Sequence, residues 1–188
     1  MTTTTQRLTL QDFLKLPQIE ESPAWEFVAG HVHQKPMPTA HHSILQKRLT
    51  AAIDQVDSPY EAFPELRCTL SNNSVVPDIT VIHRNRVPSE NSPISGAPDW
   101  IIEILSPEQS TTKLIAKIQA CLEEGTQLGW LIDSTERIVM VLLPDRRLTL
   151  LSNGDRLPVL QDIPLVLTVD QVFAWLQPSK PLSDRSSS

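Results

Sequence analysis

The chain of 188 residues carries 22 Asp and Glu against 16 Lys and Arg, a formal net charge of −6. Its 40% apolar and 20% charged content is globular and excludes collagen-like, coiled-coil and wholly disordered chains. The acidic balance argues against a general polyphosphate binder, whose unspecific affinity comes from basic surface.

The 16 prolines and only 5 glycines mean that turns come mostly from Pro, Asn, Asp and Ser. Cys68 and Cys121 lie far apart and read as buried small hydrophobes, not as a disulfide framework or a thiolate zinc site. The start, MTTTTQRLTL, lacks the basic stretch and apolar core of a secretory signal. No apolar run approaches the roughly 18 residues of a membrane span. A soluble, cytoplasmic protein with no membrane association is expected.

Residues 8–16 read as a short helix behind Thr9, with Leu10, Phe13 and Leu14 on one face. A polar stretch, 17–23, leads to WEFVAGHVH at 25–33, two short strands turning at Ala29-Gly30. Residues 42–56 form an amphipathic helix on Leu45, Leu49, Ala52, Ile53 and Val56. Residues 63–70 alternate loosely as a strand, Ser71-Asn72-Asn73 signals a turn, and 75–82 is a β-branched run interrupted by Pro77-Asp78. Residues 83–98 lack periodicity and are expected as a long functional or mobile loop.

DWIIEIL at 99–105 is apolar on both faces and reads as a central strand. Residues 112–124 form a helix with Leu114, Ile115, Ile118, Cys121 and Leu122 inward and Gly125 at its end. Residues 128–132 and 138–143 make a hairpin around Asp133-Ser134, 148–151 a shorter strand, and 169–176 a closing helix capped by Thr168. No internal repeat or second domain is visible, so one domain is expected over 1–176 and a disordered tail over 177–188. The element order implies an α/β, α+β-like fold with a mixed central sheet flanked by helices. If the strands near 100 and 132 are parallel, the helix between them is a right-handed crossover.

Glu103 stands out because its own-face neighbours, Ile101 and Leu105, are apolar. A lone carboxylate there costs several kcal/mol unless a cation, a metal or strong hydrogen bonds compensate it. Asp78 interrupts a strand behind a proline, the signature of an edge or a bulge, and bulges re-aim side chains beside sites. Alternatively, Glu103 forms a plain salt bridge and Asp78 is a turn residue. Paired, the two acids make an oxygen-rich site suited to Mg²⁺ or Mn²⁺. Lys113 and Lys117 lie four apart on the following helix and share a face, either as solvated charges or as a lysine leaning over the site.

Val76-Pro77-Asp78-Ile79, Pro98-Asp99-Trp100-Ile101-Ile102-Glu103-Ile104-Leu105-Ser106-Pro107, Lys117 and Gly129-Trp130-Leu131-Ile132-Asp133 together resemble the Uma-type restriction endonuclease family of the PD-(D/E)XK nuclease superfamily. The resemblance includes Trp25-Glu26-Phe27-Val28-Ala29-Gly30 and His42, and spans roughly residues 8–176. It implies a restriction-endonuclease-like fold and phosphodiester hydrolysis of nucleic acid, DNA in the first instance. Asp78 and Glu103 would jointly hold a divalent cation, Mg²⁺ or Mn²⁺, with Glu26 near it. The superfamily's lysine two residues after the second acid is replaced here by Leu105; the resemblance assigns its role to Lys117, with Lys113 the alternative. Cys121 stands where the family often has tyrosine. Symmetric dimers are common in the superfamily, so a homodimer is expected.

His31-Val32-His33 would place two rings on one side of a strand, a zinc pair without further ligands at metal spacing, and so read as packing or surface residues. Trp25, Trp100, Trp130 and Trp175 read as core anchors. His83-Arg84-Asn85-Arg86 and Lys47-Arg48 are basic clusters that either contact phosphates or remain solvated. Two rival functions stand beside the nuclease: a catalytically inactive nuclease-fold module that binds nucleic acid or protein, and a small-molecule hydrolase using Ser106 or His42.

Overall fold

In chain order the elements are α1 (Leu10–Phe13), β1 (Trp25–Val28), β2 (His31–Gln34), α2 (Ala40–Asp54), β3 (Tyr60–Pro64), β4 (Cys68–Thr69), β5 (Ser74–Val75) and β6 (Ile79–His83). After a 3-10 turn at Arg84–Arg86 come β7 (Ile94–Ser95), β8 (Trp100–Ile104), α3 (Thr111–Glu123), β9 (Leu128–Asp133), β10 (Ile138–Leu142), β11 (Leu148–Ser152) and α4 (Val169–Ala174). The structure is a computed structural model that describes residues 8–177. The expected tail beyond 177 and the first seven residues lie outside the described residues.

A six-stranded sheet runs β11-β10-β9-β8-β6-β3, mixed because β8 and β9 are parallel while the other neighbours are antiparallel. A smaller sheet runs β2-β1-β5-β4-β7, again with one parallel pair, β4 and β7. The fold is therefore α+β, two mixed sheets flanked by helices. The expected single strand over 75–82 divides instead: Ser74–Val75 joins the small sheet and Ile79–His83 the large one. Proline cannot donate to a ladder, and Pro77 stands where the chain leaves one sheet for the other. The loop expected over 83–98 also contains structure, the 3-10 turn and β7.

Because side chains alternate across a strand, β8 sends Trp100, Ile102 and Ile104 to one face and Ile101 and Glu103 to the other. The first set packs with Leu45, Leu49 and Ile53 of α2 and Val172 and Phe173 of α4. Ile101 packs on the second face with Leu114, Ile118 and Cys121 of α3 and with Cys68 and Val75 of the small sheet. Glycine is needed at 129 because a methyl group there would overlap the Ile118 side chain of α3. The β1–β2 hairpin turns on Ala29 and Gly30, both at positive φ (51° and 80°), as a two-residue type I′ turn requires.

Trp100 and Trp130 are fully buried and meet edge to face, 4.6 Å between centroids, while Trp25 and Trp175 pack partly buried at the margins of the core. Arg67 is buried and ties the N-terminal segment to the small sheet through Glu20 (2.6 Å), Ile19 O (2.7 Å), Ser74 Oγ (2.9 Å) and Trp25 O (3.0 Å). Among the described residues no helix is long and apolar enough to cross a membrane.

Candidate active site

The register of β6 on β8 pairs Ile79 with Ile102 and Thr80 with Ile101. One step further along this antiparallel ladder, just beyond the last paired residue of β6, Asp78 comes opposite Glu103. Asp78 Oδ2 accepts a 2.7 Å hydrogen bond from Ile104 N–H and lies 3.1 Å from His42 Nε2 in the first turn of α2. The backbone carbonyl of Asp78 accepts from Gln46 Nε2 at 2.8 Å, one turn further along α2. Glu26, from β1, accepts at Oε1 from Val76 N–H (2.6 Å) and meets His33 Nε2 across the hairpin at 3.1 Å. The three carboxylates, from three strands or strand ends, are all buried.

Lys117 reaches into this cluster from the middle of α3 and is itself 2% exposed. Its Nζ lies 2.6 Å from Glu26 Oε1 and 2.7 Å from Glu103 Oε1, and donates to Val76 O at 3.3 Å. Lys117 thus leans over the site as the resemblance implies, but its ion pairs go to Glu26 and Glu103, and Asp78 is held instead by Lys35 and His42. Lys113, expected on the same face, is exposed. Positions four apart differ by about 40° around the axis, enough to put Lys113 outside the buried stripe.

No local signal in the sequence marks Lys35 as a site residue. Lys35 follows β2, whose residues are largely exposed, and only the fold brings its Nζ to Asp78 Oδ1 (2.8 Å), Val76 O (2.9 Å) and Glu65 Oε1 (3.2 Å). His42 joins the cluster, and its Nδ1 is buried without a partner. Ser106 is buried too, but no hydrogen bond joins it to His42, so the hydrolase reading lacks a nucleophile–base pair. His31 and His33 do not converge as a zinc pair: His33 is spent on Glu26, and His31 is exposed at the hairpin end. In the basic cluster at 83–86, Arg86 is structural, bonding Asp99 (2.9 Å) and Ala97 O (2.7 Å), while Lys47 and Arg48 are solvated.

The charge states follow from three carboxyls facing two ammonium groups. Burial opposes ionisation of Glu26, but Lys117, His33 and Lys35 reverse it and hold the carboxyl down at about 2. Burial opposes ionisation of Asp78 as well, and Lys35 and His42 hold it well below the usual carboxylate range. Glu103 bears the mismatch: burial, aided by Asp78 and Glu26, outweighs Lys117 and Lys35 and pushes it up to about 8. Burial would lower Lys117, yet Glu103, Glu26 and Asp78 raise it above the ordinary lysine range.

Glu103 Oε1 has the Lys117 ammonium at 2.7 Å and, among the described residues, no further polar partner. The cluster as a whole offers carboxylates, the Val76 carbonyl and one imidazole, the oxygen-rich donor set that a hard divalent cation takes. The residues therefore fit Mg²⁺ or Mn²⁺ by chemistry. By position they do not yet chelate: among the described residues, no three His, Cys, Asp or Glu side chains are gathered as a metal site. The two lysine ammonium groups stand among the acids instead.

The Uma2 family model, described as "Putative restriction endonuclease", matches residues 10–171. The chain belongs to the Uma2 family. A crystal structure described as a putative nuclease belonging to DUF820, from Anabaena variabilis ATCC 29413, is similar at 42% identity and a TM-score of 0.84. The match covers 90% of this chain and 99% of that one. No protein of curated function matches. The Uma2 resemblance and the restriction-endonuclease-like fold expected from the sequence both hold.

Proposed function

We propose that this Uma2 protein is a nuclease that hydrolyses phosphodiester bonds of DNA with a divalent cation, Mg²⁺ or Mn²⁺, held by Asp78 and Glu103. The observation that carries this reading is the burial of Asp78, just before β6, and Glu103, in β8, in one cluster with the ammonium groups of Lys35 and Lys117. The family and the similar crystal structure support nuclease chemistry.

Such an ion supplies positive charge to polarise a phosphodiester and to lower the pKa of water towards neutrality. Asp78 would contribute Oδ1, since Oδ2 is already fixed by Ile104 N–H and His42. Glu103 would contribute a carboxylate oxygen, its proton passing to solvent as it does so. Glu26 holds Lys117 in place, and Lys117 offsets negative charge building on the phosphate. His33 and Glu65, both substantially exposed, mark where the cluster meets solvent and where a phosphate would approach.

Cleavage of both strands calls for two sites, so we place the protein in a homodimer, which light scattering measures directly. A cytoplasmic setting is part of the proposal, and the free, buried thiols of Cys68 and Cys121 suit a reducing compartment. The test is plasmid and duplex-oligonucleotide cleavage with Mg²⁺ or Mn²⁺, against EDTA, Asp78→Ala and Glu103→Ala. Cation-dependent nicking lost in both variants is expected. Cleavage that survives both rejects the site. Cation and DNA binding without cleavage favours the inactive binding module.

A further inference from the structure

The two lysines in the acidic cluster differ in one respect. Every partner of Lys117 Nζ is enclosed: Glu26 and Glu103 are buried, and the Val76 carbonyl lies between them and Lys35. Lys35 has buried partners on one side only, Asp78 Oδ1 at 2.8 Å and Val76 O at 2.9 Å. Its third partner, Glu65 Oε1 at 3.2 Å, belongs to a side chain that is 43% exposed. Glu65 has a left-handed backbone (φ 51°), and its N–H donates to Asp78 O at 3.3 Å, which fixes that carboxylate at the outer end of the lysine.

The oxygens of Asp78 are held unequally. Oδ2 is bound by a backbone N–H of the central strand and by an imidazole on a long helix, neither free to leave. Oδ1 is bound by Lys35. The ammonium of Lys35 therefore occupies an all-oxygen position between a carboxylate and a carbonyl, the ligand types of a hard cation. With Glu103 carrying a proton, Glu26 and Asp78 balance the two ammonium groups. A divalent cation in the place of Lys35, with the Glu103 proton released to solvent, keeps the same cluster neutral. The lysine stem is flexible and follows an exposed edge strand, so its outward swing disturbs little packing.

We infer that Lys35 is the displaceable counter-ion of the site: it gives up Asp78 Oδ1 and the Val76 carbonyl to a divalent cation and moves outward onto Glu65. This inference rests on the metal-dependent reading above. It makes cation binding a competition with a built-in ammonium, and it makes Glu65 a residue that matters to metal affinity without touching the metal.

Two measurements test it, with Mn²⁺ as the probe. Amine labelling of the full chain followed by mass spectrometry is expected to find Lys35 protected without Mn²⁺ and labelled on the order of tenfold faster with it, Lys117 staying protected throughout. Calorimetry is expected to find that Lys35→Met binds Mn²⁺ on the order of tenfold more tightly than wild type, about 1.4 kcal/mol. If wild type binds Mn²⁺ while Lys35 stays protected, or if Lys35→Met binds no more tightly, the inference fails and the metal reading stands. If neither protein binds Mn²⁺ at millimolar concentration, the metal reading fails and takes the inference with it. Labelling needs only the wild-type chain, so a poorly folding variant leaves the test intact.

Discussion

Asp78 takes its 2.7 Å hydrogen bond from the backbone N–H of Ile104, the residue next to Glu103. That bond ties the strand break after Pro77 to the central strand and sets the two acids side by side.

Lys117 should be structurally indispensable in a way that an ordinary salt bridge is not. Exposed ion pairs contribute little, but removing one partner of a buried set leaves charge uncompensated, at a cost of about 3–5 kcal/mol. Lys117→Met leaves the ionised Glu26 without its ammonium partner. Urea unfolding is expected to show a loss of that order, partly recovered in Lys117→Met/Glu26→Gln. A single variant within about 0.5 kcal/mol of wild type would mean that the acids find other partners.

Stability should fall as pH rises from mildly acidic to mildly alkaline. The carboxyl of Glu103 is raised from 4.5 to about 8, so between those values the folded chain holds a proton that the unfolded chain releases. Folding is then favoured at the acidic end of this window and loses up to about 1.4 kcal/mol per pH unit through it. Glu26 and Asp78 act in the opposite direction: held below their ordinary values, they stabilise above the ordinary carboxylate range, and that contribution is lost as pH falls through their folded values. Urea midpoints in EDTA from about pH 5 to 8.5 should decline in wild type and stay nearly flat in Glu103→Gln. An equal decline in both would assign the effect to another group.

Gly129→Ala should damage the site from a distance. The added methyl meets Ile118, one residue after Lys117, so α3 must lift from the sheet. Overpacking of this kind costs about 1–3 kcal/mol. Thermal melts should show the loss, and any nuclease activity should fall with it. An unchanged melting temperature would mean that α3 is less firmly seated than its buried stripe implies.

Much of this was legible in the sequence because periodicity reports burial. The apolar stripes of α2 and α3 fixed both helices to within about two residues, the usual uncertainty at helix ends. The apolar neighbours of Glu103 on its own face marked it as buried and needing a partner. What escaped was long-range. Lys35 lies in a polar stretch that looks solvated, and only the docking of the small sheet on the large one encloses it. The run 75–82 looked like one strand because local β propensity says nothing about which sheet each half joins. Lys113 and Lys117 looked equivalent because helical spacing alone does not say where the cover of the sheet ends.

The claim that Asp78 and Glu103 together hold a hard cation is tested most directly by anomalous diffraction from crystals equilibrated with millimolar Mn²⁺. A single strong peak in contact with carboxylate oxygens of both residues is predicted, absent in Asp78→Ala. A peak that touches only one of them, or density for both acids still paired to Lys35 and Lys117 with no Mn²⁺ between them, would contradict it.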